Sequence, residues 1–249
     1  KVNESIENSE SKINLIENLR FHEGEVKNND EFAKNVTRPF DSYIFDAFGA
    51  SHRSHASVVS FGNYLDSYQG PLMNNEIEQL DKLLSNEKTG YVVLLGGAKI
   101  SDKLSLINNL LPKVEHLLIG GGMCFTFLAA SGIPVGDSLV EKEMLETCRR
   151  LMNSGISIKL PLDFTAMNSN GQIGNPDIEA EVRQCGGSIP DGWMGLDIGP
   201  GSAVEFSDAV FEAGTVLWNG PMGVFEDPRF SAGTETVARG MAETRAFTF

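Results

Sequence analysis

The sequence predicts an α/β fold in which parallel strands are covered by helices, and three observations carry that expectation. From residue 91 onward, short β-rich runs at 91–95, 116–119, 157–160 and 215–218 alternate with amphipathic segments, the pattern of repeated βαβ units. Three of those runs lead into glycine-bearing turns: Gly96-Gly97, Gly120-Gly121-Gly122 and Gly220. The composition, 41% apolar and 22% charged over 249 residues, is that of a folded chain able to bury a sizeable core. Parallel sheets of this kind take ligands outside the carboxyl ends of their strands, so the turns after the strands are where chemistry is to be sought.

The elements follow in order. Residues 14–17 and 43–45 read as strands around a helix over 30–36. Two strands bury too little to stand alone, so residues 1–70 are expected to be part of a first domain whose remaining strands lie outside this sequence. After the Gly70-Pro71 break, Ile77, Leu80 and Leu84 repeat at i, i+3 and i+7 in a helix over 75–86. Residues 71–86 read as an interdomain helix and hinge, and 87–249 as part of a second domain. Past the strand at 91–95, Ser101 is the expected N-cap of a helix whose apolar face is Leu104, Ile107 and Leu111 and whose polar face carries Asp102 and Lys103. Residues 168–175 read as a surface turn.

With 20 Lys and Arg against 34 Asp and Glu the net charge is −14, a field that opposes binding to a nucleic-acid backbone. Small anions respond instead to local clusters. No stretch approaches the roughly 18 unbroken apolar residues of a spanning helix. Residues 1–12 are polar rather than signal-like, so neither membrane insertion nor secretion is expected. Cys124, Cys148 and Cys185 cannot all pair, and none lies at metal-ligand spacing from another, which fits a reducing, cytoplasmic setting. No serine sits in a nucleophile elbow and no cysteine has a matching histidine. His52 and His55 lack a third metal ligand nearby, and no residue is assigned to a metal.

The strongest local signal is the run from Gly96 to Lys103 between a strand and a helix. Glycines let the backbone approach a ligand, helix-start N–H groups face it, and Lys99 and Lys103 supply mobile cations, which together describe a phosphate site. The Walker spacing is absent, and taken alone the segment is equally a tight turn with two solvated lysines. The glycine run at 120–122 offers a flat backbone to a planar base, flanked by Met123 and Phe125; close packing would account for the same glycines. In residues 217–226, Asn219 offers donor and acceptor groups and Glu226 suits a ribose hydroxyl pair, whereas Trp218 and Phe225 are expected in the core. Arg20 and Arg53, with His22, His52 and His55 nearby, suit bidentate capture of a phosphate or carboxylate. His116, inside an apolar strand pattern, reads as structural.

Six segments then act together: Glu17-Asn18-Leu19-Arg20-Phe21-His22, Asp46-Ala47-Phe48-Gly49, His52-Arg53, Leu95-Gly96-Gly97-Ala98-Lys99, the stretch from Gly192-Trp193 through Gly195-Leu196 to Pro200, and the stretch from Trp218 to Glu226. In their order, and spread over nearly the whole chain, they closely resemble the phosphoglycerate kinase family. The resemblance implies two Rossmann-like lobes joined by a hinge, both incomplete in this chain. It also implies reversible phosphoryl transfer from 1,3-bisphosphoglycerate to ADP, giving 3-phosphoglycerate and ATP, with Mg2+ accompanying the nucleotide. By that likeness Arg20 and Arg53 hold the glycerate phosphate, and Arg20, Lys99 and Lys103 are catalytic. The nucleotide falls to Gly97, Lys99, Lys103, Gly120, Gly121, Gly122, Gly195, Leu196, Asn219, Pro221, Val224 and Glu226. A cytoplasmic monomer with no nucleic-acid or membrane partner is implied.

The family's opening Asp-x-Asn stretch has no counterpart before Lys1, and its Gly-Gly-Gly-Asp segment, whose acidic residue serves the metal nucleotide, would come after Phe249. Residues 1–249 alone are therefore expected to show weak or no kinase activity. Two rival readings stand beside this one: a non-catalytic nucleotide-binding fragment of that enzyme, and a dinucleotide-dependent dehydrogenase, for which no G-x-G-x-x-G follows a strand.

Overall fold

The computed structural model describes residues 9, 11–85, 90–175 and 180–249, without the side chains of 82–85. The chain divides into two compact units, Lys1–Lys82 and Leu83–Phe249.

The first unit holds helices α1 (Glu23–Val26) and α2 (Asp30–Thr37), strands β1 (Ser42–Phe45) and β2 (Asp66–Gln69), and the start of helix α3 (Pro71–Ser85). Asn29 caps α2 by accepting from the Phe32 N–H at 2.8 Å. The buried face of α2, Ala33 and Val36, meets Ala56 and Phe61 in a small core. Strands β1 and β2 pair in parallel, with Ser42 opposite Asp66. Helix α3 begins four residues before the expected position, because Pro71 suits a first helical turn and Asp46, at the end of β1, accepts from the Met73 N–H at 2.8 Å. The strand expected at 14–17 does not form. That stretch pairs with no described strand, Ile13 is 86% and Leu15 100% exposed, and an extended segment is stable only beside a neighbour. The side chain of Leu84 and residue Asn86, part of the expected helix pattern, lie outside the described residues.

In the second unit, strands β3 (Tyr91–Leu95), β4 (His116–Ile119), β5 (Ser157–Lys159), β9 (Thr215–Asn219) and β10 (Phe247–Thr248) form one parallel sheet in the order β10-β9-β3-β4-β5. Helices α4 (Leu104–Leu110), α5 (Cys124–Ala130), α6 (Leu145–Met152), α7 (Pro200–Glu212) and α8 (Ala232–Glu243) accompany it. Strand β3 shows why the sheet is covered on both faces. Tyr91, Val93 and Leu95 enter a core with Ile107 and Phe127, while Val92 and Leu94 enter another with Phe206 and Val237. A second sheet was not expected. Strands β6 (Asp163–Asn168), β7 (Val182–Gly186) and β8 (Trp193–Ile198) pair antiparallel in the order β7-β6-β8, and residues 169–174 turn out of β6 as expected of a surface segment. All three cysteines are free and buried, and burial pushes the Cys148 thiol up to about 11. No helix among the described residues is long and apolar enough to cross a membrane.

The Ser101 N-cap is also revised. Residues Ser101–Lys103 form a 3-10 turn ahead of α4, and the Ser101 hydroxyl donates to Glu141 instead of capping. Helix α7 takes its cap from a distant strand. Asp163 in β6 accepts from the Ser202 N–H at 2.7 Å, the Gly201 N–H at 2.9 Å and the Ser202 hydroxyl. Partial burial pushes the Asp163 carboxyl up, but these bonds together outweigh it and hold it below the usual range. A group held low contributes stability above its unfolded value near 4 and loses it as pH falls through the folded one. Asp163→Ala should therefore cost about 1–2 kcal/mol at pH 7 and less below pH 4. Urea denaturation at the two pH values checks this; an equal loss at both would contradict it.

Candidate functional site

The turns after β3, β4 and β9 are knitted into one surface by backbone hydrogen bonds. The Gly96 N–H donates to Asn219 O (3.0 Å), Gly97 to Pro221 O (2.9 Å), Gly121 to Met222 O (2.9 Å) and Met123 to Gly97 O (3.0 Å). Glycine is demanded by this proximity. A Cβ on Gly96 would lie 2.0 Å from Pro221 O, and one on Gly121, whose φ is +62°, would lie 2.5 Å from Gly97 N.

Beside this surface opens a cleft of about 400 Å³. Of the residues expected to hold a nucleotide, Gly97, Gly121, Gly122, Gly195, Leu196, Pro221, Val224 and Glu226 line it. Gly120 does not line it; it is buried where a Cβ would meet Met222 Sδ at 2.5 Å. Lys99 is exposed, next to the lining residue Ala98. Lys103 and Asn219, also outside the lining, are brought together: the ammonium donates to Asn219 O at 2.8 Å and to the Asn219 side-chain oxygen. Partial burial lowers the Lys103 pKa, and neighbouring Asp102 opposes that.

Three expectations change here. Met123 and Phe125 do not flank the cleft; at 0% and 2% exposure they belong to the core, with Phe125 5.4 Å from the Phe164 ring. Phe125 also explains Gly195, since a Cβ there would fall 2.3 Å from its ring. Trp218 packs partly against the core and donates its indole N–H to Gly220 O at 2.7 Å, but Phe225 is half exposed rather than buried. Finally, two of the N–H groups ahead of the helix are already taken. Glu141, almost wholly buried, accepts from the Ile100 N–H at 2.6 Å and the Ser101 N–H at 3.3 Å, so an internal carboxylate satisfies these two donors.

Leu139, Ile173 and Met194 line the cleft without having been anticipated. Each is an apolar residue with nothing in its own chemistry to mark it for a ligand, and only the fold places it on the cleft. Behind the cleft, Asp197 in β8 accepts from the Gly233 N–H at 2.7 Å at the start of α8. Burial pushes its carboxyl up to about 6, against the pull of that bond and of the Ile198 N–H.

In the first unit, a cleft of about 570 Å³ is lined by Arg20, Asn18, Tyr43, Asp46 and His55 among others. Asn18 orders the turn that carries Arg20 by accepting from the Arg20 N–H at 3.0 Å. Arg53 is exposed and does not line this cleft, so the two arginines do not meet as a clamp there. Of the imidazoles only His55 lines it, 3.7 Å from the buried Glu25 carboxylate; His22 stacks on Phe32 with ring centroids 5.7 Å apart, and His52 is exposed. His116 opens β4 at the end opposite its glycine turn. No group of three or more His, Cys, Asp or Glu that could hold a metal occurs among the described residues.

Comparison with known proteins gives a consistent result. The phosphoglycerate kinase family model matches residues 1–249. The phosphoglycerate kinase of Rubrobacter xylanophilus is 44% identical over 99% of this chain and 62% of its own length. That of Thermosipho africanus is 44% identical over 97% of this chain and 60% of its own. Among solved structures, phosphoglycerate kinase from Coxiella burnetii superposes with a TM-score of 0.82 at 34% identity, over 93% of this chain and 59% of that one. The enzyme from Pyrococcus horikoshii gives 0.76 at 27%, over 92% and 60%. The chain spans about 60% of the length of these relatives. A family match along all 249 residues, on a fold whose glycine turns meet at the carboxyl ends of β3, β4 and β9, establishes that the chain belongs to the phosphoglycerate kinase family.

Proposed function

We propose that the whole protein catalyses reversible phosphoryl transfer between 1,3-bisphosphoglycerate and ADP, as a cytoplasmic monomer by family likeness, with two lobes that move about a hinge in residues 71–86. The observation that carries this reading is the meeting of Lys103 and Asn219 at the edge of the knitted glycine turns, next to a cleft that bears apolar side chains and Glu226. In this reading a planar base occupies the apolar part of the cleft, Glu226 takes the ribose hydroxyls, and the phosphates run toward Lys103. Its ammonium rests on two neutral oxygens. A phosphate oxygen forms the stronger, charge-assisted bond and displaces them.

The transferring group spreads its charge over three oxygens, so positioning and electrostatic stabilisation dominate. Lys103 and the exposed Lys99 supply that charge on one unit. Arg20 presents its fork to the glycerate phosphate on the other, with Arg53 as an exposed second cation. The groups at the phosphate end are an ammonium and an amide rather than carboxylates, so Mg2+ would arrive with the nucleotide as part of the substrate.

A coupled assay on the full-length protein tests the reading, and absence of nucleotide-dependent turnover with 3-phosphoglycerate would overturn it. Lys103→Ala should lower kcat and kcat/KM together, by about 100-fold, because the lost charge acts mainly in the transition state. Arg20→Ala should raise the KM for 3-phosphoglycerate about tenfold, and that for ATP much less. An Arg20→Ala enzyme that lost ATP affinity but kept its 3-phosphoglycerate KM would reverse the assignment of the units.

A further inference from the structure

Ile173 reaches the cleft from the turn that follows β6, and both peptide groups that flank it are held by one ion pair. The Gln172 carbonyl accepts from Arg229 Nη2 at 3.0 Å, and the Gly174 N–H donates to Asp227 Oδ2 at 3.0 Å. The two holders grip each other, with Arg229 Nη2 at 2.6 Å from Asp227 Oδ2 and Arg229 Nε at 2.9 Å from Asp227 Oδ1. The Asp227 side chain is fully buried and the Arg229 side chain is 20% exposed. The guanidinium also lies 5.4 Å from the centroid of the buried Phe230 ring. The hydrogen bonds from Arg229 hold the Asp227 carboxyl far below the usual carboxylate range, so the grip persists wherever the protein is folded at ordinary pH.

Burying an ion pair is a weak route to stability, and its best-attested use is to fix one arrangement among several. The arrangement fixed here is specific. The turn at 171–174 carries Gly171 and Gly174, the latter at φ +75°, and Ile173 is 43% exposed. The turn's own backbone bonds, Gly171 N–H to Asn168 O at 3.0 Å and Asn175 N–H to Gln172 O at 3.4 Å, close it but leave the Ile173–Gly174 peptide to Asp227. The residue before Asp227, Glu226, lines the same cleft, so one short loop both presents a polar group there and sets an apolar wall that belongs to another element.

We propose that Asp227 and Arg229 are positioning residues for nucleotide binding: they hold Ile173 against the base, and they act through it rather than by touching the ligand. This rests on the nucleotide reading of the cleft. The test is ADP titration calorimetry on the full-length protein, wild type and variants. Ile173→Ala and Asp227→Ala should each weaken ADP by about tenfold. The double variant should be no weaker than either single one, because Asp227 has nothing left to position once Ile173 is gone. Steady-state kinetics should show the KM for nucleotide raised while that for 3-phosphoglycerate stays put. Arg229→Lys, which keeps the charge but not the fork, should reproduce the ADP defect and decides the matter should Asp227→Ala fail to fold. Normal ADP affinity in Ile173→Ala or in Arg229→Lys, or losses that simply add in the double variant, would overturn the proposal and leave the nucleotide reading intact. A wild type that binds no ADP would overturn both.

Discussion

Gly96→Ala should cripple the second unit. The added methyl would sit 2.0 Å from Pro221 O and 2.7 Å from Gly220 O, both backbone atoms that no side-chain rotation can move. Relief requires the turns after β3 and β9 to part, which strands the Gly96 and Gly97 N–H groups now bonded to Asn219 and Pro221. Overpacking costs about 1–3 kcal/mol and each stranded buried donor about as much again, so a total of about 4 kcal/mol or more is expected. Urea denaturation should show the loss, with Gly186→Ala as the matched control because nothing lies within 4 Å of a Cβ there. A Gly96→Ala protein with the midpoint of the wild type would mean that these turns are looser than their bonds imply.

Glu141→Ala should be nearly as damaging, and for an electrostatic reason. Its carboxylate satisfies the Ile100 and Ser101 N–H groups and the Ser101 hydroxyl at the base of the turn that carries Lys103. Ile100 is fully buried, so its N–H finds no water when the carboxylate goes. Charge-assisted bonds to buried donors are worth about 1.5–3 kcal/mol each, and a loss of about 3–5 kcal/mol follows. Glu141→Gln, which keeps one acceptor oxygen, should fall between. Urea denaturation of the wild type and the two variants checks this order. A Glu141→Ala protein with the midpoint of the wild type would show that these N–H groups close on another acceptor.

These two residues also mark what reading the letters can and cannot reach. Gly96 stands in a run whose strand-turn-helix context is visible without coordinates, because Tyr91-Val92-Val93-Leu94-Leu95 is unmistakably a buried strand. The same logic reaches the cleft loops after β3, β4 and β9, whereas Gly195 and Leu196 enter only through the family resemblance and Leu139, Ile173 and Met194 not at all. Glu141 is 40 residues from Ser101 and nothing local distinguishes it from a surface carboxylate. The same holds for Asp163, whose partner Ser202 lies 39 residues on, and for the bond that Asp227 accepts from Gly174, 53 residues back. The antiparallel sheet escaped notice because Asp163–Asn168, Val182–Gly186 and Trp193–Ile198 mix polar residues and glycine into short runs, and only pairing makes them strands. Residues 14–17 show the converse, a plausible strand pattern that pairs with no described neighbour.

The bonds among the three glycine turns carry a further consequence, for how the chain tolerates change in length. Gly96 is tied to Asn219, Gly97 to both Pro221 and Met123, and Gly121 to Met222, so every turn is measured against the other two. One residue inserted in any of them puts it out of step with the other two, and a deletion in a different turn cannot restore the match. Spare length has to go where a loop answers to nothing but itself, as around Gly155, where an added Cβ would find open space.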